Sequence, residues 1–282
     1  MRLLITGANG FLARRAAAYY SAVHEVTALG RSRMDFTDNE SVKRWFDKVR
    51  PQAVLHCGAV SDTGACAADP ELSYRINVAG SENIARACRQ FGARLVFCSS
   101  DQVYVGSSLK EAHREVEILS PPHPYGRQKL LAEQLCARHQ PDTVSLRLSW
   151  MYASDTDRER EHGNLMTNLK DAVLLGKPVS YPVYDFRSIT DVWEVVKNLE
   201  AAWSLPPGVY NFGSPNSKST YELAKRMIQA IGGPEDLVFP DTQAFSGNPR
   251  NLRMDMRKAE EAGVRFLTSE EGLRLAGNKL KF

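Results

Sequence analysis

Arg2-Leu3-Leu4-Ile5-Thr6-Gly7-Ala8-Asn9-Gly10-Phe11-Leu12-Ala13 is the stretch on which the fold turns. A short apolar strand, Arg2–Thr6, runs straight into two glycines and then into a helix. A turn this tight needs glycine where the backbone bends and approaches a ligand. The free N–H groups at the helix start then face an anion such as a pyrophosphate. A glycine pattern alone is a weak signal. It becomes informative at the first strand–helix junction of a β-α-β run.

The alternation continues outward from this turn. Strands are predicted at Arg2–Thr6, His24–Leu29, Ala53–His56, Arg94–Ser99 and Thr143–Ser149. Helices are predicted between them at Phe11–Ser21, Asn39–Val49, Pro70–Phe91 and Gly126–His139. This order gives an α/β protein with a Rossmann-type, doubly wound parallel sheet, whose ligands sit at the carboxyl ends of the strands. The later part is less regular. Asn164–Leu175, Asp191–Trp203, Thr220–Ile231 and the tail after Thr268 read as helical, with Pro- and Gly-rich loops between them. The expected division is a dinucleotide-binding domain over 1–150, taking in part of 178–204, and a smaller, discontinuous α+β substrate lid over 151–282.

Composition narrows the classes. The 282 residues are 43% hydrophobic and 24% charged, which excludes a mostly disordered chain. A net charge of +3 with interspersed signs gives no electrostatic case for nucleic acid. No apolar run reaches membrane-spanning length, and no signal-peptide core precedes the glycines, so no membrane partner and a cytoplasmic setting are expected. Five cysteines without a CxxC pair read as reduced thiols, and no metal site is expected. The mixed-charge run Asp155–Glu161 reads as a solvated loop. His56 reads as a satisfied core histidine.

The second strand ends Ala28-Leu29-Gly30-Arg31, without the acidic residue that would favour the 2′-hydroxyl of NADH. Arg31 and Arg33 stand there instead, and a guanidinium suits a 2′-phosphate. NADPH is therefore expected over NADH. Cys57, Gly58 and Ala59 end the third strand, where small residues let a cofactor pass closely. Tyr125 and Lys129 are four residues apart and share a helix face, so the lysine charge can lower the tyrosine pKa. Ser100, at the end of the fourth strand, could hold a substrate carbonyl while Tyr125 gives or takes its proton.

Together these motifs resemble an extended short-chain dehydrogenase/reductase, nearest to the dTDP-4-dehydrorhamnose reductase-like branch. TGANGFLA resembles TGxxGxxG, with Ala13 for the last glycine. Asp35-Phe36 resembles the segment that contacts adenine. Asp69-Pro70 through Asn77 and Gly80 resembles DPxxxxxxN followed by glycine. Ser100, Tyr125 and Lys129 resemble the catalytic triad, and Arg147–Tyr152 resembles the branch's RTSWVY strand. The chain also departs from the pattern. Gln128 stands for the serine of YGxSK. Ser61–Ala67 lacks both acids of the branch's TAVDKAE-like run. Asn248 replaces the arginine of RPxxSxLD, with Arg250 and Arg253 close by.

The resemblance implies hydride transfer to the carbonyl of a nucleotide-linked keto-sugar. Tyr125 would be the proton donor, Ser100 the oxygen ligand, and Lys129 the ribose ligand. It implies cofactor contacts from Gly7, Asn9, Gly10, Phe11, Leu12, Arg31, Asp35, Phe36, Cys57, Gly58 and Ala59. Substrate contacts are expected from Ser61, Asp101, Gln102, Trp150 and Arg250. A homodimer is expected by resemblance. Gln102 in place of a glutamate weighs against a sugar dehydratase. A nucleotide-sugar epimerase, or a non-catalytic NADP-binding regulatory subunit, remain as alternatives.

Overall fold

The computed structural model describes residues 1–156 and 163–278. Asp157–Glu161, in the mixed-charge run, lie outside the described residues. Elements of the first part are β1 Arg2–Thr6, α1 Phe11–Tyr20, β2 Glu25–Leu29, α2 Asn39–Val49, β3 Ala53–His56, α3 Thr63–Ala68, α4 Pro70–Tyr74, α5 Gly80–Phe91, β4 Arg94–Ser100, α6 Pro124–His139 and β5 Thr143–Leu148. They are followed by β6 Trp150–Tyr152, α7 Leu165–Leu175, β7 Val179–Pro182, β8 Asp185–Arg187, β9 Ile189–Asp191, α8 Val192–Ala202, β10 Gly208–Phe212, α9 Thr220–Ala230, β11 Val238–Asp241, β12 Arg250–Leu252, α10 Arg257–Glu261 and α11 Ser269–Asn278.

The main sheet has six strands in the order β10-β5-β4-β3-β1-β2. Strands β1 to β5 pair in parallel. Their near-continuous burial, complete along β3 and β5, is what a sheet covered on both faces requires. The chain steps from β1 to β2 on one side and then to β3 on the other. The winding therefore reverses between β1 and β3, which is where such sheets open a crevice for ligands.

The described residues form two units. The first takes in Met1–Val103, Leu119–Leu148 and Val196–Tyr210. Its core gathers Leu4, Val54, Leu95 and Phe97 from the sheet with Phe46, Ile84 and Cys136 from helices. The second takes in Tyr104–Ile118, Ser149–Val195 and Asn211–Phe282. Its core centres on Tyr152, Leu169, Leu223, Met227 and Leu273. The stretch 104–118, which sequence alone puts with the first domain, packs in the second unit. Asn211 holds it there, its amide donating to the His113 carbonyl at 2.8 Å and its Oδ1 accepting from Tyr104 at 2.6 Å.

The long predicted helix Pro70–Phe91 is interrupted. A π-type turn at Arg75–Ala79 separates α4 from α5. Asn77, within that turn, is fully buried. The short helix α3 was not anticipated. It carries only one buried residue, Cys66, and so leaves no periodic apolar signal.

Candidate active site

The crevice begins with a glycine whose backbone and surroundings leave no room for a side chain. Gly7 has φ +66°, and a Cβ there would sit 2.8 Å from both the Cα and N of Gly58. The turns after β1 and β3 therefore touch backbone to backbone at the reversal point. Helix α1 starts at Phe11 with no side-chain cap and no acidic residue in its first turn, so its positive end is left for an anion. Leu12 and Ala13 are buried, and the small Ala13 serves the close helix–sheet packing of a third glycine. Asn9 packs over Gly30, whose Cβ would lie 3.0 Å from the Asn9 amide nitrogen. The tight glycine turn and the uncapped start of α1 together fit a dinucleotide pyrophosphate.

Arg31 is exposed beside the turn, and its charge helps hold the Asp35 carboxyl below the usual range. Hydrogen bonds from Thr37 contribute more, since Asp35 Oδ1 accepts from the Thr37 amide at 2.9 Å and hydroxyl at 2.7 Å. Arg33 is engaged elsewhere: its guanidinium lies 5.0 Å from the Trp45 ring centroid. Of the two arginines, Arg31 is the one left for a 2′-phosphate. Phe36 is half-buried between Gly58 and Gly80, where a Cβ on either glycine would run into the ring.

Beneath this floor lies a directional hydrogen-bond chain. Ser81 Oγ donates to the Asn77 carbonyl at 2.8 Å, so it accepts from His56 Nε2 at 3.0 Å. His56 Nδ1 then accepts from Thr6 Oγ1 at 2.6 Å, and Thr6 Oγ1 accepts from the Gly58 amide at 3.4 Å. The assignment makes His56 the neutral Nε2–H tautomer. Burial agrees, pushing its pKa from 6.5 down to about 3. Cys57 follows on β3's end and lies 3.4 Å, sulfur to sulfur, from Cys98.

Tyr125 and Lys129 are both buried on α6. His123 caps the helix by accepting from the Gly126 amide at 3.0 Å, and Pro124 occupies its first position. Gly126 lets the helix start press on the turn after β4, since a Cβ there would lie 2.6 Å from the Gln102 carbonyl oxygen. That approach brings Tyr125 to Ser100 at the end of β4. Burial raises the Tyr125 phenol well above its usual value, and the neighbouring Ser100 hydroxyl pulls the other way. The lysine Nζ sits 4.2 Å from the Phe97 ring centroid, and burial lowers its pKa against the opposing pull of Cys98, Cys136 and Glu133.

Asp101 is buried, and its Oδ1 faces Ser100 Oγ at 3.3 Å and the Gln102 amide at 3.1 Å. Ser61 is exposed just before the α3 cap at Asp62. Trp150 and Arg250 lie in the second unit. The Arg187 guanidinium covers the Trp150 ring at 4.8 Å from its centroid. Arg250 forms a two-point ion pair with Asp185, with both nitrogen–oxygen distances 2.8 Å. Its fork is thereby used within the fold. Sequence reasoning also missed Glu133, one turn beyond Lys129. It is buried in a two-point pair with Arg147 of β5, at 3.0 and 2.8 Å, and accepts from Ser99 Oγ.

The sheet order, the glycine crevice and the Ser100/Tyr125/Lys129 grouping define a Rossmann-type protein of the extended short-chain dehydrogenase/reductase class, whose members are NAD(P)-dependent oxidoreductases. The model for the RmlD substrate binding domain matches residues 1–280, and the chain belongs to that family. Among its relatives is a dTDP-4-keto-6-deoxy-D-glucose reductase of Streptomyces niveus, 34% identical over 85% of this chain and 82% of that protein. Another is methionine adenosyltransferase 2 subunit beta of Xenopus laevis, 29% identical over 93% of this chain and 83% of the relative. The fold matches a crystal structure of dTDP-4-dehydrorhamnose reductase from Bacillus anthracis in complex with NADP. The TM-score is 0.87 and identity 23%, covering 97% of this chain and 96% of the other.

Proposed function

We propose that this chain is an NADPH-dependent reductase of a nucleotide-linked 4-keto-sugar, of the dTDP-4-dehydrorhamnose type. The observation that carries the reading is the burial of Tyr125 on α6 beside Ser100 at the end of β4, with Lys129 one helical turn on. The family and the keto-sugar reductase among the relatives support it.

Gly7, Gly10 and the α1 N-terminus would hold the pyrophosphate, Arg31 the 2′-phosphate, and Lys129 the nicotinamide ribose. NADH is the weaker-binding alternative. The bound nicotinamide supplies the hydride. Tyr125 donates the proton to the carbonyl oxygen, and burial keeps that phenol protonated through neutral pH. Ser100 donates a hydrogen bond to the same oxygen and so stabilises developing negative charge.

The test is NADPH oxidation followed by absorbance, with dTDP-4-dehydro-L-rhamnose generated in situ and NADH in parallel. Tyr125→Phe should lower the rate by about 10²–10⁴-fold, the usual worth of a positioned proton donor. Bound NADPH without any oxidation would overturn this reading for that substrate. The relatives named as an adenosyltransferase beta subunit favour a second reading for that outcome: an NADP-binding regulatory subunit, which should retain a stable partner in pull-downs.

A further inference from the structure

Gln128 stands where the YGxSK pattern has serine, and the longer side chain has a defined task. It is 6% exposed, and every polar atom of its amide is engaged. The orientation can be worked out from the backbone outward. Asn77 meets Val60 at two points: its Oδ1 accepts from the Val60 amide at 2.8 Å, and its Nδ2 donates to the Val60 carbonyl at 3.0 Å. A flipped Asn77 amide would lose both bonds. The second Nδ2 hydrogen goes to Gln128 Oε1 at 2.9 Å. Gln128 Nε2 must then face acceptors, and it donates to Ser73 Oγ at 2.9 Å and the Pro70 carbonyl at 3.2 Å. One amide orientation fixes the next, from a loop backbone into helix α6.

We propose that Gln128 is a positioning residue: through Asn77 it couples the helix bearing Tyr125 and Lys129 to the Val60 backbone, which lies between Ala59 and Ser61. The catalytic consequence rests on the reductase reading above, and the coupling itself does not. Serine at this position is too short to reach both Asn77 and the α4 carbonyl. Helix α6 is then tied less tightly to the loop after β3, along which cofactor and substrate contacts are assigned. The π-type turn belongs to the same device, since it contains Asn77, and such turns recur at functional sites.

The test compares Gln128→Met, which keeps length and volume, Gln128→Ser, and Gln128→Glu, which keeps an acceptor for Asn77. The first readout is amide hydrogen exchange at Val60 in the protein without cofactor. Leaving a buried amide hydrogen without an acceptor should speed Val60 exchange by about tenfold or more in Gln128→Met and Gln128→Ser. Gln128→Glu should return it to within about threefold of the parent, since its acceptor is intact. The second readout is NADPH affinity by fluorescence, weakened by about tenfold in the first two variants. With keto-sugar, kcat should fall while KM changes little. Parental Val60 exchange and NADPH affinity in both Gln128→Met and Gln128→Ser, beside a lowered melting temperature, would overturn the proposal and leave a packing role. If Gln128→Met fails to fold, Gln128→Ser decides. Absence of keto-sugar turnover in the parent protein overturns the reductase reading alone, because exchange and cofactor affinity are read without it.

Discussion

Two arginine–carboxylate pairs, one in each unit, have the same two-point geometry and differ in access to water. In Glu133–Arg147 the side chains are 3% and 4% exposed; in Asp185–Arg250 the carboxylate is 3% exposed but the arginine 27%. The first pair joins α6 to β5 and, through Ser99, to the end of β4. It fixes the helix that carries Tyr125 and Lys129. The second joins β8 to β12 and closes on Thr220, which donates to Asp185 at 2.8 Å. Its open side lets water solvate the guanidinium if the partner charge is lost. The same chemical unit is thus a rigid internal tie in one place and a replaceable clasp in the other.

Matched charge deletions put this contrast at risk. Glu133→Gln keeps shape but leaves Arg147 buried without its counter-charge, and should cost about 3–5 kcal/mol in chemical denaturation. Glu133→Leu combined with Arg147→Met should recover most of that, because neither charge is then buried. A second experiment asks how the first unit carries a buried polar group without charge. His56 titrates at about 3 in the fold and near 6.5 when unfolded. Between those values only the unfolded chain takes up the proton, so stability is intact above pH 6.5 and falls as pH drops. The residue should contribute a slope of about 1.4 kcal/mol per pH unit below 6.5. Denaturation at pH 5.5 and 4.5 should show that slope in the parent and a flatter one in His56→Gln. The smallest effect belongs to the clasp: Asp185→Asn keeps an acceptor for Thr220 and should cost about 1 kcal/mol or less. Equal costs for Glu133→Gln and Asp185→Asn would erase the distinction.

The same contrast explains what could be read from the chain before its structure. Strands β1, β3 and the turn at Gly7 announce themselves through local apolar runs and glycines, and their bounds match the sequence reading. The doubly wound sheet follows from that alternation. Tyr125 and Lys129 are legible because four residues on a helix is a local distance. Contacts that depend on the fold are not. Arg250 reads as a substrate ligand until Asp185, far away in sequence, takes its fork. Gln128 reads as a lost serine until Asn77 and Ser73 meet it. The three-residue strands β6, β8, β9 and β12 are too short for any period to show. The π-type turn leaves no periodic signal, and the Asn77 bonds it accompanies reach Val60 and Gln128, 17 and 51 residues away.

Phe36 sits between two glycines that each lack the one atom that would strike its ring. The three positions are therefore bound to an order of change. Alanine at Gly58 or Gly80 forces the phenyl ring to shift, whereas a smaller residue at 36 can come first at the modest cost of a partly filled gap. A library that varies these sites one at a time will underrate changes at both glycines and miss the combinations that work. The history of the pocket floor, like its redesign, runs through residue 36 before it reaches either glycine.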